Sequence, residues 1–236
     1  MFRFAHLPDP DTGDMMGYRF SDLTDACQQD WRAISSTISS APSATAARAG
    51  GLSPLPAAGL PVPDPFLSGL CPGRLQEPRP ERAAPCLRGL KTILDVELDL
   101  HVGFCREWGI SEDDLARLPE ARATLAYTRY VLDTGNRGDL LDLHVALAPC
   151  LVGYGEIANW LNARQDTIRG DDNPFDAWIA MYESDDFQGA MRDEVAWLDA
   201  RLAEVTPERF ARLATIFRDA TRLEIDFWQM GLDGAN

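Results

Sequence analysis

Ten of the chain's sixteen prolines fall between residues 34 and 88, where the single aromatic is Phe66. In Ser53-Pro54-Leu55-Pro56-Ala57-Ala58-Gly59-Leu60-Pro61-Val62-Pro63 they stand too close together for a helix or a central strand. Each proline removes an amide donor and crowds the residue before it. The stretch 34–88 therefore reads as an irregular, disordered, insert-like segment within one domain spanning 1–236. A linker of that length inside a folded domain is itself unusual. Its charge differs too. Five basic and three acidic residues leave it at +2, whereas the whole chain carries −15, so the remainder stands at −17.

Outside that stretch the pattern is helical. Leu90, Ile93, Leu94, Glu97, Leu98 and His101 recur at helical spacing up to Gly109. A second helix is expected from about Pro119 to Leu132, with the proline in its first turn. A third runs from about Gly138 to Leu161 and carries Leu140, Leu143, Leu147, Cys150, Tyr154 and Ile157. Asn173-Pro174 opens a short helix ending near Tyr182, and Ser184 can cap the next. Thr206-Pro207-Glu208 opens the last, with Ile216, Ala220, Leu223, Phe227 and Met230 as its expected apolar stripe. Strand-like alternation is nearly absent. The fold class expected is an all-α bundle.

With 45% hydrophobic and 25% charged residues, the chain has the composition of an ordinary folded protein. Its acidity repels phosphate backbones and anionic lipid, so no nucleic-acid or membrane partner is expected. No uninterrupted apolar run approaches the ~20 residues of a membrane span. Met1-Phe2-Arg3-Phe4-Ala5-His6 lacks an apolar signal core, which gives a cytoplasmic expectation. Cys27, Cys71, Cys86, Cys105 and Cys150 are scattered and form no CxxC pair, so neither a disulfide framework nor a zinc knuckle is suggested.

Two positions invite a chemical reading. Glu224 lies four residues after Ala220 and three before Phe227, on the apolar side of its helix. Desolvation there raises a carboxyl pKa toward the range useful for proton transfer. The alternative is a Glu paired with an Arg or a Tyr hydroxyl. Cys150 faces the core four residues before Tyr154, where a cysteine is more often an inert hydrophobe than a nucleophile. Glu97 and His101 resemble half of a metal site, but no second pair accompanies them, and a satisfied polar contact is the better reading. Trp178, Tyr182, Trp228 and Phe227 form an aromatic set near helix ends, read first as core.

Three strings together alter that balance. Ala148-Pro149-Cys150-Leu151-Val152-Gly153-Tyr154 resembles the nucleophile helix of the TenA / thiaminase II family. Asn173-Pro174-Phe175-Asp176-Ala177-Trp178-Ile179-Ala180-Met181-Tyr182 resembles its N-P-(aromatic)-x-x-W-I-x-x-Y segment. Leu223-Glu224-Ile225-Asp226-Phe227-Trp228-Gln229-Met230 resembles its C-terminal E-x-x-F-W-x-M signature. The similarity covers 89–236 well and 16–33 weakly. It implies a haem-oxygenase-like helical fold without haem, usually a homotetramer, needing neither metal nor organic cofactor. The activity implied is hydrolysis of thiamine or of 4-amino-5-aminomethyl-2-methylpyrimidine. By position, Cys150 would be the nucleophile and Glu224 the proton shuttle, while Tyr127, Tyr154, Tyr182 and Phe227 would line the pyrimidine slot. Two other classes stay open: an oxidase on the same scaffold, and a non-enzymatic regulator or binding protein.

Residues 34–88 depart from the family, which has there an F-R-x-Y-L-x-Q-D-Y-x-F-L segment with a pyrimidine-binding aspartate. Reading the codons of Leu52 through Pro63 one base later permits F-R-H-Y-L-L-Q-D-Y-L-F-L. The aspartate codon would straddle Gly59 and Leu60, so no residue of this chain takes its place. A frameshift beginning near Ala33-Ile34 and undone near Arg88 accounts for the prolines, the missing aromatics and the reversed charge together. Weak or no activity is the expectation for the protein as written.

Overall fold

The computed structural model describes residues 17–40, 117, 119–170, 173 and 176–233. Among these residues lie seven helices and no strand: α1 (Phe20–Ala26), α2 (Gln28–Ser40), α3 (Arg122–Arg137), α4 (Leu140–Ala163), α5 (Asp176–Glu183), α6 (Asp185–Leu202) and α7 (Pro207–Asp233). The expected helix up to Gly109, the Glu97/His101 pair and residues 41–88 lie outside the described residues.

α4 is the axis of the bundle and packs against α3, α5, α6 and α7. Being walled on several sides, it is apolar nearly all round, from Leu141, Val145 and Ala148 to Val152, Ile157 and Ala158. By length and composition it could cross a membrane, although Asp142, His144 and Glu156 interrupt every apolar run; two-thirds of its most apolar stretch is buried in the bundle. Its start is fixed by a capping box. Asp139 accepts from the Asp142 amide at 3.0 Å, and Asp142 accepts from the Asp139 amide at 2.9 Å. Arg209 and Arg212 of α7 then reach the buried Asp142 carboxylate at 2.7 and 2.6 Å, pinning the starts of the two long helices together.

Two boundaries and one buried face differ from expectation. α3 starts at Arg122 and runs to Arg137, leaving Pro119 ahead of the helix. α2 continues to Ser40 with Ile34 buried, so the irregular stretch does not begin at residue 34. No Pro or Gly occurs between Gln28 and Ser40, and Trp31 packs 3.7 Å from where a Cβ on Gly153 would sit, so nothing breaks the helix up to Ser40. On α7 the buried line is Phe210, Leu213, Phe217, Ala220, Thr221 and Glu224, whereas Ile216, Leu223 and Phe227 are half-buried. The stripe is rotated from the expected one, which puts Glu224 deeper.

The anticipated caps form. Ser184 Oγ accepts from the Phe187 amide and Thr206 Oγ1 from the Arg209 amide, both at 3.3 Å.

Candidate active site

Four helices bring together most of the residues singled out in the sequence: Tyr127 from α3, Cys150 and Tyr154 from α4, Tyr182 from α5 and Glu224 from α7. One turn of α4 receives two of the polar groups. The Cys150 thiol donates to Leu147 O at 3.1 Å and the Tyr127 hydroxyl to Ala146 O at 3.2 Å. Pro149 sits inside this turn. Without an amide hydrogen it leaves the carbonyl of Val145 short of its usual helical donor, just ahead of the cysteine.

Burial is the largest influence on the Tyr127 phenol, and the neighbouring Cys150 and Glu224 add to it. Together they hold it well above the usual phenol range, so it stays a protonated donor. Tyr154 behaves likewise, with burial first, then Glu224, Tyr182 and Cys150. The Glu224 carboxylate is near enough to be the strongest of those charged neighbours. Glu224 itself is 1% exposed. Of the two readings left open for it, a Tyr hydroxyl is indeed beside it, and that hydroxyl belongs to the cluster around the cysteine.

The aromatic set is more than scattered core. Tyr154 meets Tyr182 at 5.3 Å, Trp228 at 5.2 Å and Trp178 at 6.0 Å between ring centroids, and Trp178 lies 4.4 Å from Tyr182. Trp178 and Trp228 thus join the candidate site residues in one box of rings. The i, i+4 spacing of Glu224 and Trp228 was the available signal, as it places both on one face. Phe227 stands aside. It is half-buried and meets Trp228 edge-on at 6.4 Å.

Gln188 carried no signal in the sequence that linked it to the site. It is buried on α6, where its amide nitrogen donates to Tyr182 O at 2.8 Å and Gly155 O at 3.2 Å. Its oxygen accepts from Asn159 at 2.8 Å. Among the described residues no group of three or more His, Cys, Asp or Glu side chains could hold a metal ion.

A thiol, two protonated phenols and a buried carboxylate beside flat rings can together attack an electron-poor heterocycle and move a proton. The family model described as TENA/THI-4/PQQC matches residues 76–234. An aminopyrimidine aminohydrolase from Halalkalibacterium halodurans is 39% identical over 143 residues, which cover 60% of this chain and 62% of that protein. A Haemophilus influenzae protein is 44% identical over 141 residues, covering 60% and 65%. The chain thus spans less than two-thirds of the length of these curated relatives. A crystal structure of a TenA family transcription regulator from Silicibacter superposes with a TM-score of 0.75 at 31% identity, covering 92% of this chain and 98% of that one. The all-α architecture is the haem-oxygenase-like fold of such TenA structures.

Proposed function

The chain belongs to the TENA/THI-4/PQQC family, and on that premise we propose that it is a thiaminase II-type aminopyrimidine aminohydrolase. The reaction is hydrolysis of the C–N bond at the exocyclic methylene of thiamine or of 4-amino-5-aminomethyl-2-methylpyrimidine, giving the hydroxymethylpyrimidine. The observation that carries this reading is the meeting of Cys150, Tyr127, Tyr154 and Glu224 across α3, α4 and α7.

The Cys150 thiol passes its proton to Glu224 and its sulfur adds to the pyrimidine ring, which breaks aromaticity and lets the methylene C–N bond open. Glu224 supplies the proton that leaves with the amine and then takes one from the incoming water. Expulsion of the thiol restores the ring. Tyr127 and Tyr154, held protonated, hydrogen-bond the heterocycle's edge or steady Glu224. Tyr182, with Trp178 and Trp228, stacks on or walls the flat ring, and Phe227 backs Trp228 from its edge. The reading includes no metal or organic cofactor, and a homotetramer in the cytoplasm whose partner is the small pyrimidine rather than nucleic acid or membrane.

A regulator is the competing reading, since the Silicibacter relative bears that description. The formal charge of −15 opposes direct DNA binding. The deciding experiment assays both substrates with the purified chain, with a version whose 34–88 follows the hidden frame, and with Cys150→Ser and Glu224→Gln in each background. Each substitution is expected to lower turnover at least ~100-fold, the lower end for losing a positioned acid–base group. Near-parental rates in both variants of a background that turns substrate over, or no turnover in either background, overturn the assignment.

A further inference from the structure

We propose that Gln188 is a positioning residue for the aromatic wall, setting the Tyr182 ring through the main chain of α5. The inference deepens the proposed function and takes from it the role of Tyr182 as a substrate-facing ring.

Tyr182 stands in the last turn of α5 (Asp176–Glu183), where carbonyls have no donor from their own helix. A buried carbonyl in that position needs a partner, and Gln188 Nε2 supplies it at 2.8 Å. The same nitrogen donates its second hydrogen to Gly155 O on α4 at 3.2 Å. Oε1 accepts from Asn159, one turn further along α4, at 2.8 Å. Both donors and one acceptor of the carboxamide are therefore in use, and they join α4, α5 and α6 at one point. An aliphatic side chain of the same length cannot make any of these bonds.

The close approach is built in at Gly155. A Cβ there would sit 2.5 Å from Met191 Sδ and 3.2 Å from Gln188 Nε2. Glycine at this point lets α6 come near enough for the carboxamide to bridge. What the bridge holds is the residue whose ring lies 4.4 Å from Trp178, 5.3 Å from Tyr154 and 4.7 Å from Phe187. Tyr154 in turn meets Glu224. Its hydrogen bonds go to main-chain oxygens and to Asn159, so Gln188 acts through Tyr182.

The test compares Gln188→Met, Tyr182→Ala and the double variant, with Asn159→Leu as a milder change at an exposed position. KM and kcat are measured for the aminopyrimidine in whichever background, the chain as written or its hidden-frame version, turns it over, together with near-UV circular dichroism, which reads the Trp178–Tyr182 ring pair without turnover. Gln188→Met is expected to raise KM roughly tenfold with kcat little changed, as losing buried hydrogen bonds of this kind allows. Asn159→Leu is expected to move KM the same way by about two- to threefold. Both should weaken the near-UV signal while far-UV helicity persists. In the Tyr182→Ala background Gln188→Met should add less than about twofold, as coupled residues do. An unchanged KM and near-UV spectrum in folded Gln188→Met and Asn159→Leu overturns the proposal, as does full additivity with Tyr182→Ala. Should Gln188→Met not fold, Asn159→Leu decides alone. Failure of the hydrolase reading shows separately, as parental turnover in Cys150→Ser.

Discussion

Asp142 and Glu224 are both 1% exposed, yet the molecule treats these carboxylates differently. Asp142 closes a capping box at the start of α4 and receives Arg209 and Arg212 at 2.7 and 2.6 Å. Burial would raise its carboxyl, but the bonds from Arg209 and the Asp139 amide outweigh that and hold it below the usual range. Glu224 faces the Tyr154 hydroxyl, with Tyr127 and Cys150 near. Those groups can donate or accept a proton. A guanidinium at neutral pH can only hold a charge in place. Two guanidinium groups fix one carboxylate as an ion, whereas the other lies among hydroxyl and thiol groups.

The contrast breaks first under substitution. Asp142→Ala should destabilise the fold by about 2–3 kcal/mol, below the range for a fully buried pair because Arg212 is 59% exposed. Turnover per folded molecule should stay near parental. Glu224→Gln should do the reverse, losing at least ~100-fold in turnover with a urea midpoint near parental. Matching stability losses in the two variants would erase the distinction.

Acid sharpens it. Because the native pKa of Asp142 is depressed, its stabilisation is complete above the ordinary value of 3.8 and is lost as pH falls through the lower native value. Asp142→Asn should therefore flatten part of the loss of stability on acidification, measured as urea midpoints from roughly pH 5 to about 2. A parental slope in that variant removes Asp142 from the acid response.

Smaller effects separate packing from capping. Gly155→Ala should cost about 1–2 kcal/mol, since its Cβ meets Met191 Sδ at 2.5 Å and a thioether can yield only partly. Because the glycine adjoins Gln188, KM should also rise. Ser184→Ala should cost about 1 kcal/mol through loss of the cap on α6, with KM unchanged. Thermal melts beside steady-state kinetics check both.

The helices were legible where local chemistry marks them. Ser184 and Thr206 announce α6 and α7, and periodicity outlines α4. Pro119 misled because a proline that suits a first turn also suits the residues ahead of one. Counting apolar residues misplaced the stripe of α7, since Glu224 and Thr221 belong to the buried line and score as polar. The candidate site was legible mainly through resemblance. Periodicity alone cannot say that Tyr127 and Glu224, far apart in sequence, meet at one turn of α4. Gln188 escaped notice because its work is done on carbonyl oxygens, which every residue possesses.

The placement of α4 in the chain has a consequence for synthesis. It leaves the ribosome with α3 already made and before α5, α6 and α7, which cover its other sides. During that interval the most apolar segment of the described chain is bare, and translation speed sets how long it stays so. Cys150 passes through the same interval without Glu224, which is made last. The candidate site therefore assembles only as α7 docks, and the hazard of a nascent apolar helix ends in the same event that completes that cluster.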